Sequence, residues 1–283
     1  MIKILDVNKS FGRFAINNVS LELQSGYLYG IVGRNGAGKT TLLNMLLGLV
    51  KPDCGELTID GLNYQENEKE IHDIFSEVLV DELLDSTLSV SENGRFYGAL
   101  YSGFDLRQYL NLCDSFDLDS NKHFGKLSKG QKLKCQFAFA LACNSKYLIL
   151  DEPTANFDPE FRRKFFEAIR EYMKNGENTV IMATHLTDDL DREADYLIFM
   201  DKGSVVFSGD IETFRDSYRI VAGEKYKLKL IDSSKMIYLE EREYGGAKAL
   251  VKHKKHDNYD SEIKSASPTI EEFMYFYCKG EER

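Results

Sequence analysis

Gly33-Arg34-Asn35-Gly36-Ala37-Gly38-Lys39-Thr40 is the stretch from which the chain is best read. It fits the pattern G-x-x-x-x-G-K-[ST], a loop whose backbone N–H groups turn inward around phosphate oxygens. Residues 27–32 before it are a short, mostly apolar run, the mark of a buried strand. Residues 41–49 after it hold Leu42, Leu43, Met45, Leu46 and Leu47, which suits a helix buried on most sides. Strand, glycine loop and helix in that order are the context the motif requires. The helix N-terminus adds partial positive charge. Lys39 is placed to reach the outer phosphates and Thr40 to ligand Mg²⁺ through its hydroxyl. Gly33 to Thr40, with Thr41 beside them, form the candidate nucleotide-binding set.

Downstream, residues 147–150 are a second buried strand, and Asp151-Glu152 stand at its C-terminal end. In open α/β sheets that edge is where ligands bind. Asp151 can hold Mg²⁺, and Glu152 can polarise an attacking water or accept its proton. Alone, two acids at a strand end are as well read as solvated surface. Residues 179–183 and 196–200 are further strands, with His185 just past the former. The turn Asp201-Lys202-Gly203 leads into a hairpin with 204–208. Asp158-Pro159 opens a helix, Asp as cap and Pro in the first turn, with Phe161, Phe165, Ile169 and Met173 on one face. Leu133, Phe137, Ala140 and Leu141 mark another helix. Residues 62–126 are more polar and aromatic and read as a largely helical insertion.

Composition bounds the rest. Of 283 residues, 43% are apolar, enough for a real core. The net charge of −10 argues against nucleic acid as partner. No apolar run approaches the roughly 18 residues of a membrane helix, and the start lacks a secretory apolar stretch. Five cysteines without a C-x-x-C pair fit reduced thiols in a cytosol. Near Gly223 the character changes. Residues 224–283 hold 12 basic and 12 acidic residues, so the first 223 carry the whole negative balance. The tail alternates at Tyr226, Leu228 and Leu230, as a strand would. It closes on a helix from Thr269 with Glu272 set for a capping box.

Leu127-Ser128-Lys129-Gly130-Gln131 lies 23 residues before Asp151. It resembles the signature of ATP-binding cassette (ABC) proteins, usually LSGGQ, with Lys129 in place of one glycine. Ser128 and Gln131 also satisfy the capping-box pattern, and both readings can hold together. The resemblance implies that Ser128, Gly130 and Gln131 face the γ-phosphate of ATP held by a second cassette. It places Phe11 on adenine and His185 on the γ-phosphate. Asp158 is the one residue kept of the family loop that follows the acids, here Ala155-Asn156-Phe157-Asp158. The family's glutamine between phosphate loop and signature is missing. Asp81 is the expected substitute as a Mg²⁺ ligand beside Thr40 and Asp151, with Glu82 and Glu77 as rivals.

The resemblance covers residues 1 to about 222. It implies an α/β P-loop NTPase fold: a RecA-like core, an antiparallel β subdomain and a helical subdomain, within residues 1–222. Residues 223–283 are expected to add a small α+β extension. The implied function is ATP hydrolysis, with ATP and Mg²⁺, powering transport through separate membrane subunits by dimerisation with a second cassette. Glu152 and His185 are the implied catalytic residues. The implied place is the inner face of the cell membrane, on the cytoplasmic side. The motif variants, with the Glu271–Tyr277 ending, resemble a bacterial export subgroup linked to antimicrobial-peptide resistance or acetoin utilisation. Two alternatives stand beside this: a soluble regulatory ABC ATPase, and a non-hydrolytic nucleotide-binding module.

Overall fold

The computed structural model describes residues 1–12, 14–79, 83–154 and 157–282. In chain order its first strands and helices are β1 (Ile2–Ser10), β2 (Ala15–Leu23), β3 (Leu28–Val32), α1 (Lys39–Leu46), β4 (Cys54–Ile59), α2 (Tyr64–Asp73) and β5 (Phe75–Val78). Then come α3 (Val90–Gly98), α4 (Leu106–Ser115), α5 (Lys129–Ala142), β6 (Tyr147–Asp151), α6 (Pro159–Met173), β7 (Thr179–Ala183), α7 (Thr187–Glu193), β8 (Tyr196–Asp201) and β9 (Ser204–Asp210). The rest is α8 (Ile211–Ser217), β10 (Tyr218–Glu224), α9 (Lys225–Leu228), β11 (Met236–Glu241), β12 (Gly246–Lys252), β13 (Lys264–Ala266) and α10 (Ile270–Glu281).

Two compact units emerge: Met1–Leu186 with Ile198–Ser208, and Thr187–Leu197 with Gly209–Arg283. The first holds an antiparallel sheet ordered β2-β1-β4, whose β2 turns Ile16, Val19, Leu21 and Leu23 inward. Its main sheet runs β5-β6-β7-β3-β8-β9. The pairs β5–β6, β6–β7 and β3–β7 are parallel. Every residue of β3, β6 and β7 is buried, as strands covered on both faces must be. Their register sets the site. Ile31 of β3 and Asp151 of β6 both pair with Ala183 of β7, so three C-terminal strand ends reach one edge together.

The helices follow the expected faces. Phe161, Phe165, Phe166 and Ile169 are the buried stripe of α6, capped by Asp158. Among the described residues, 62–126 does hold α2, α3 and α4, but also β5, the edge strand beside β6. Four residues are too short for alternation to announce a strand, so the largely helical reading did not place it. The turn between β8 and β9 puts Lys202 and Gly203 at positive φ, as a tight two-residue hairpin requires.

The second unit centres on a sheet ordered β11-β12-β10-β13. Its core includes Val221, Leu228, Ala249 and Val251. The alternation at Tyr226, Leu228 and Leu230 does not make a strand. That segment contains α9, with Leu228 buried while Tyr226 and Leu230 are exposed at 61% and 82%. Three residues of period two are too few to separate the two conformations. Thr269 and Glu272 form the anticipated capping box of α10. The composition change at Gly223 falls inside β10. Charge reports the surface, whereas this unit's core already includes Ile220 and Val221. Among the described residues no helix is long and apolar enough to cross a membrane.

Candidate nucleotide site

The phosphate loop leaves β3 at Gly33, which has φ +156° and no room for a side chain, since a Cβ would meet the Met200 carbonyl oxygen at 2.3 Å. Gly38 takes φ +109° and serves as N-cap of α1 without any side-chain cap bond. The first N–H groups of α1 are thus left for an anionic ligand. Arg34, Asn35 and Gly36 are exposed, while Ala37 and Gly38 are buried. Gly203 braces the loop, donating its N–H to the Ala37 carbonyl at 3.0 Å.

Lys39 is 7% exposed and donates from Nζ to the Gly33 carbonyl at 2.8 Å. Burial holds its ammonium below the usual lysine range, against the upward pull of Glu152 and Asp151. Thr40 donates from Oγ1 to Asp151 Oδ2 at 2.8 Å. Burial pushes the Asp151 carboxyl up. The Thr40 hydrogen bond and the Lys39 charge oppose that, and the Glu152 charge adds to it. A hydroxyl beside a buried carboxylate, in a phosphate loop, is the hard-oxygen donor set that Mg²⁺ takes, so these residues fit that ion. Thr41 lies half-buried on the first turn of α1.

Glu152 adopts a left-handed backbone at φ +51°, uncommon for a residue with a side chain. Its N–H donates to the Ala183 carbonyl at 2.8 Å, tying the turn to the end of β7. Its Oε2 accepts from Thr184 Oγ1 at 3.2 Å and the His185 N–H at 3.1 Å. The same oxygen lies 2.7 Å from His185 Nδ1. The structure therefore brings together Lys39, Thr40, Asp151, Glu152 and His185 from three strand ends. Thr184 and Gly203 belong to the surroundings and were missed. A small residue beside the histidine and a glycine in a hairpin turn carry little signal of their own.

The remaining residues lie apart from this group. Ser128, Gly130 and Gln131 open α5, where Ser128 and Gln131 complete a capping box with bonds of 3.1 and 3.3 Å. Ser128 and Lys129 are exposed. Asp158 accepts from the Phe161 N–H at 2.8 Å. Phe11 is 48% exposed and stacks on Phe14 with centroids 6.3 Å apart. Phe14, not singled out from sequence, comes nearer the loop: its ring edge would sit 3.2 Å from a Cβ on Gly38. Asp81 and Glu82 lie outside the described residues. Glu77 is in β5, and the titratable groups it acts on are Tyr64, Tyr101 and Cys143 rather than the phosphate loop.

The family model for the ABC transporter matches residues 16–155. Nod factor export ATP-binding protein I of Burkholderia lata is 32% identical over 214 residues, covering 74% of this chain and 70% of its own length. The chain belongs to the ATP-binding subunits of ABC transporters. This ABC cassette is also similar to bacitracin transport ATP-binding protein BcrA of Bacillus licheniformis, 28% identical over 250 residues, 86% of this chain and 79% of that one. A solved dimeric ATP-binding cassette in a post-hydrolysis state, bound to ADP and Pi, aligns with TM-score 0.66 and 26% identity. It covers 75% of this chain and 99% of its own. As an ABC cassette the protein is an ATPase, and solved cassettes of its family dimerise.

Proposed function

We propose that this cassette powers export through membrane subunits encoded as separate chains, bound at the cytoplasmic face of the cell membrane. The observation that carries the proposal is the paired arrangement Thr40–Asp151 and Glu152–His185 at one sheet edge, beside the buried Lys39. The export systems named among its relatives support the direction. Residues 1–222 act as the cassette and 223–283 as its appended subdomain. Two cassettes, identical or homologous, pair head to tail and enclose two ATP molecules. Nucleic acid is not a partner.

Each residue has a part in this reading. The backbone from Gly33 to Thr41 cradles the phosphates, and Lys39 moves from the Gly33 carbonyl to the phosphate oxygens. Phe11 stacks on the base. Ser128, Gly130 and Gln131 of one cassette, with Asp158, complete the site of the other. Thr40 and Asp151, with Asp81 as a further candidate, would hold Mg²⁺. When bound, that ion would supply positive charge to offset the negative charge of the phosphates. Glu152 orients the attacking water and accepts its proton, while His185 and Thr184 hold the Glu152 carboxylate in place. Closing the dimer follows from tighter ATP binding to the closed form, and hydrolysis releases it.

The variant Glu152→Gln tests this. It keeps the shape but cannot accept the proton. We expect ATP binding by calorimetry, an ATP-dependent dimer on size exclusion, and phosphate release slowed roughly a hundredfold or more. Release at the wild-type rate would remove Glu152 from its role.

A further inference from the structure

The second unit holds a cavity of about 260 Å³ that the transporter reading leaves unused. It lies between two segments of that unit: α9 with the turn after it, and the residues that lead into β13. Its floor is apolar. Ile263 belongs to the unit's core with Val221 and Leu228, and Ile231 and Tyr259 pack against that core. Pockets for drug-sized ligands run from about 300 Å³ upward, whereas a cavity of about 150 Å³ already holds benzene. The space therefore suits a small molecule: one large apolar side chain with a compact polar head.

The polar part of the lining is built from charges. Lys227 Nζ reaches Glu262 at 2.5 Å and Asp260 at 3.5 Å across the cleft, and Lys235 Nζ reaches Asp257 at 2.6 Å. These are not plain surface pairs: the Lys227 and Lys235 side chains are 12% and 31% exposed. Half-desolvated ion pairs add little net stability. Lys235 has donors to spare, since an ammonium carries three N–H groups and Asp257 takes one. The Asp232 carboxylate accepts from the Ser234 N–H at 2.9 Å and makes no ion pair among the described residues. Asp232 and Lys235 belong to one turn, closed by the Lys235 N–H on the Asp232 carbonyl at 3.0 Å. A spare carboxylate oxygen and spare ammonium donors thus stand side by side above the apolar floor. A purely anionic guest would meet Asp232, Asp257 and Asp260, and a purely cationic one Lys227 and Lys235. A guest with both charges one carbon apart meets an opposite charge for each.

We propose that this cleft binds a free α-amino acid with a large apolar side chain, its head group on Lys235 and Asp232 and its side chain on Ile231, Tyr259 and Ile263. The proposal goes beyond the transporter reading and stands without it.

Calorimetry on the full chain tests it, with L-leucine and L-phenylalanine as probes. At least one should bind with a Kd below about 1 mM. Isocaproate and isoamylamine keep the leucine side chain with one charge each, and glycine keeps both charges without the side chain. All three should bind at least about tenfold more weakly. Asp232→Asn, which breaks no ion pair among the described residues, should weaken binding by about tenfold or more and melt within about 2 °C of wild type. Lys235→Gln should weaken it as much; the ligand series on wild-type chain decides the matter should that variant not fold. No saturable heat from either amino acid up to about 10 mM, equal affinity for a singly charged analogue, or affinity kept within about twofold by Asp232→Asn overturns the proposal. None of these outcomes bears on the transporter reading.

Discussion

Lys39 is buried and Glu77 half-buried, and their surroundings give the two charges opposite consequences. Lys39 rests on the Gly33 carbonyl and faces two acids, which together hold its charge at the loop where we propose phosphate binds. A hydrogen bond to a charged group contributes about 1.5–3 kcal/mol. Lys39→Ala should therefore weaken ATP binding by about tenfold or more, read by calorimetry. Unchanged affinity would sink the phosphate-loop assignment. Among the described residues Glu77 has no hydrogen bond or ion pair, and burial lifts its carboxyl from 4.5 to about 7. Between those values the folded state binds the proton more tightly than the unfolded chain. Stability from this residue is therefore lost as pH rises through that window and is steady above it. In isolated protein, Glu77→Gln should be more stable than wild type at pH 8 by on the order of 1–3 kcal/mol, and near parity at pH 5. Urea unfolding at the two pH values checks this; a difference independent of pH would show that Glu77 ionises freely.

At the scale of elements, the N-terminus of α5 is closed by a cap whose serine also carries a proposed role in the facing cassette. Its Ser128–Gln131 box satisfies N–H groups that the first turn leaves open, while Ser128 stays exposed. Replacing such a cap with Ala costs about 1 kcal/mol, and with Gly only a few tenths. Ser128→Gly should therefore melt within about 1–2 °C of wild type and still lose ATP-dependent dimerisation of the Glu152→Gln background. Dimerisation kept in that double variant would leave Ser128 a cap and nothing more. The same motif was readable in sequence because a capping box is local: two side chains, three residues apart, bond each other's backbone. β5 was not readable for the opposite reason. Its four residues become a strand only because β6 offers a parallel edge, which no window of neighbouring residues contains.

For the molecule as a whole, the second unit depends on segments far apart in the chain. The Asp191 carboxylate of α7 accepts from the Ile270 N–H that opens α10 at 3.2 Å, and Arg215 donates to the Asp191 carbonyl at 2.8 Å. β10 pairs with β12 along its length and with β13. Cutting the chain after Gly223 would leave β10 with unpaired edges and expose Ile220 and Val221. That truncation should be recovered mainly as aggregate; a soluble chain melting at the wild-type temperature would contradict this dependence. Sequence by itself determined the phosphate loop, the acidic pair at the end of 147–150, the capped helices and the strands flanking them, because each is written in a contiguous pattern of glycines, charges or apolar periodicity. Tertiary structure alone decided that His185 meets Glu152, that Gly203 braces the loop, that residues 225–228 form a turn of helix, and that Glu77 finds no hydrogen bond or ion pair among the described residues. Those outcomes depend on which strand lies beside which, and parallel pairing joins residues separated by many tens of positions.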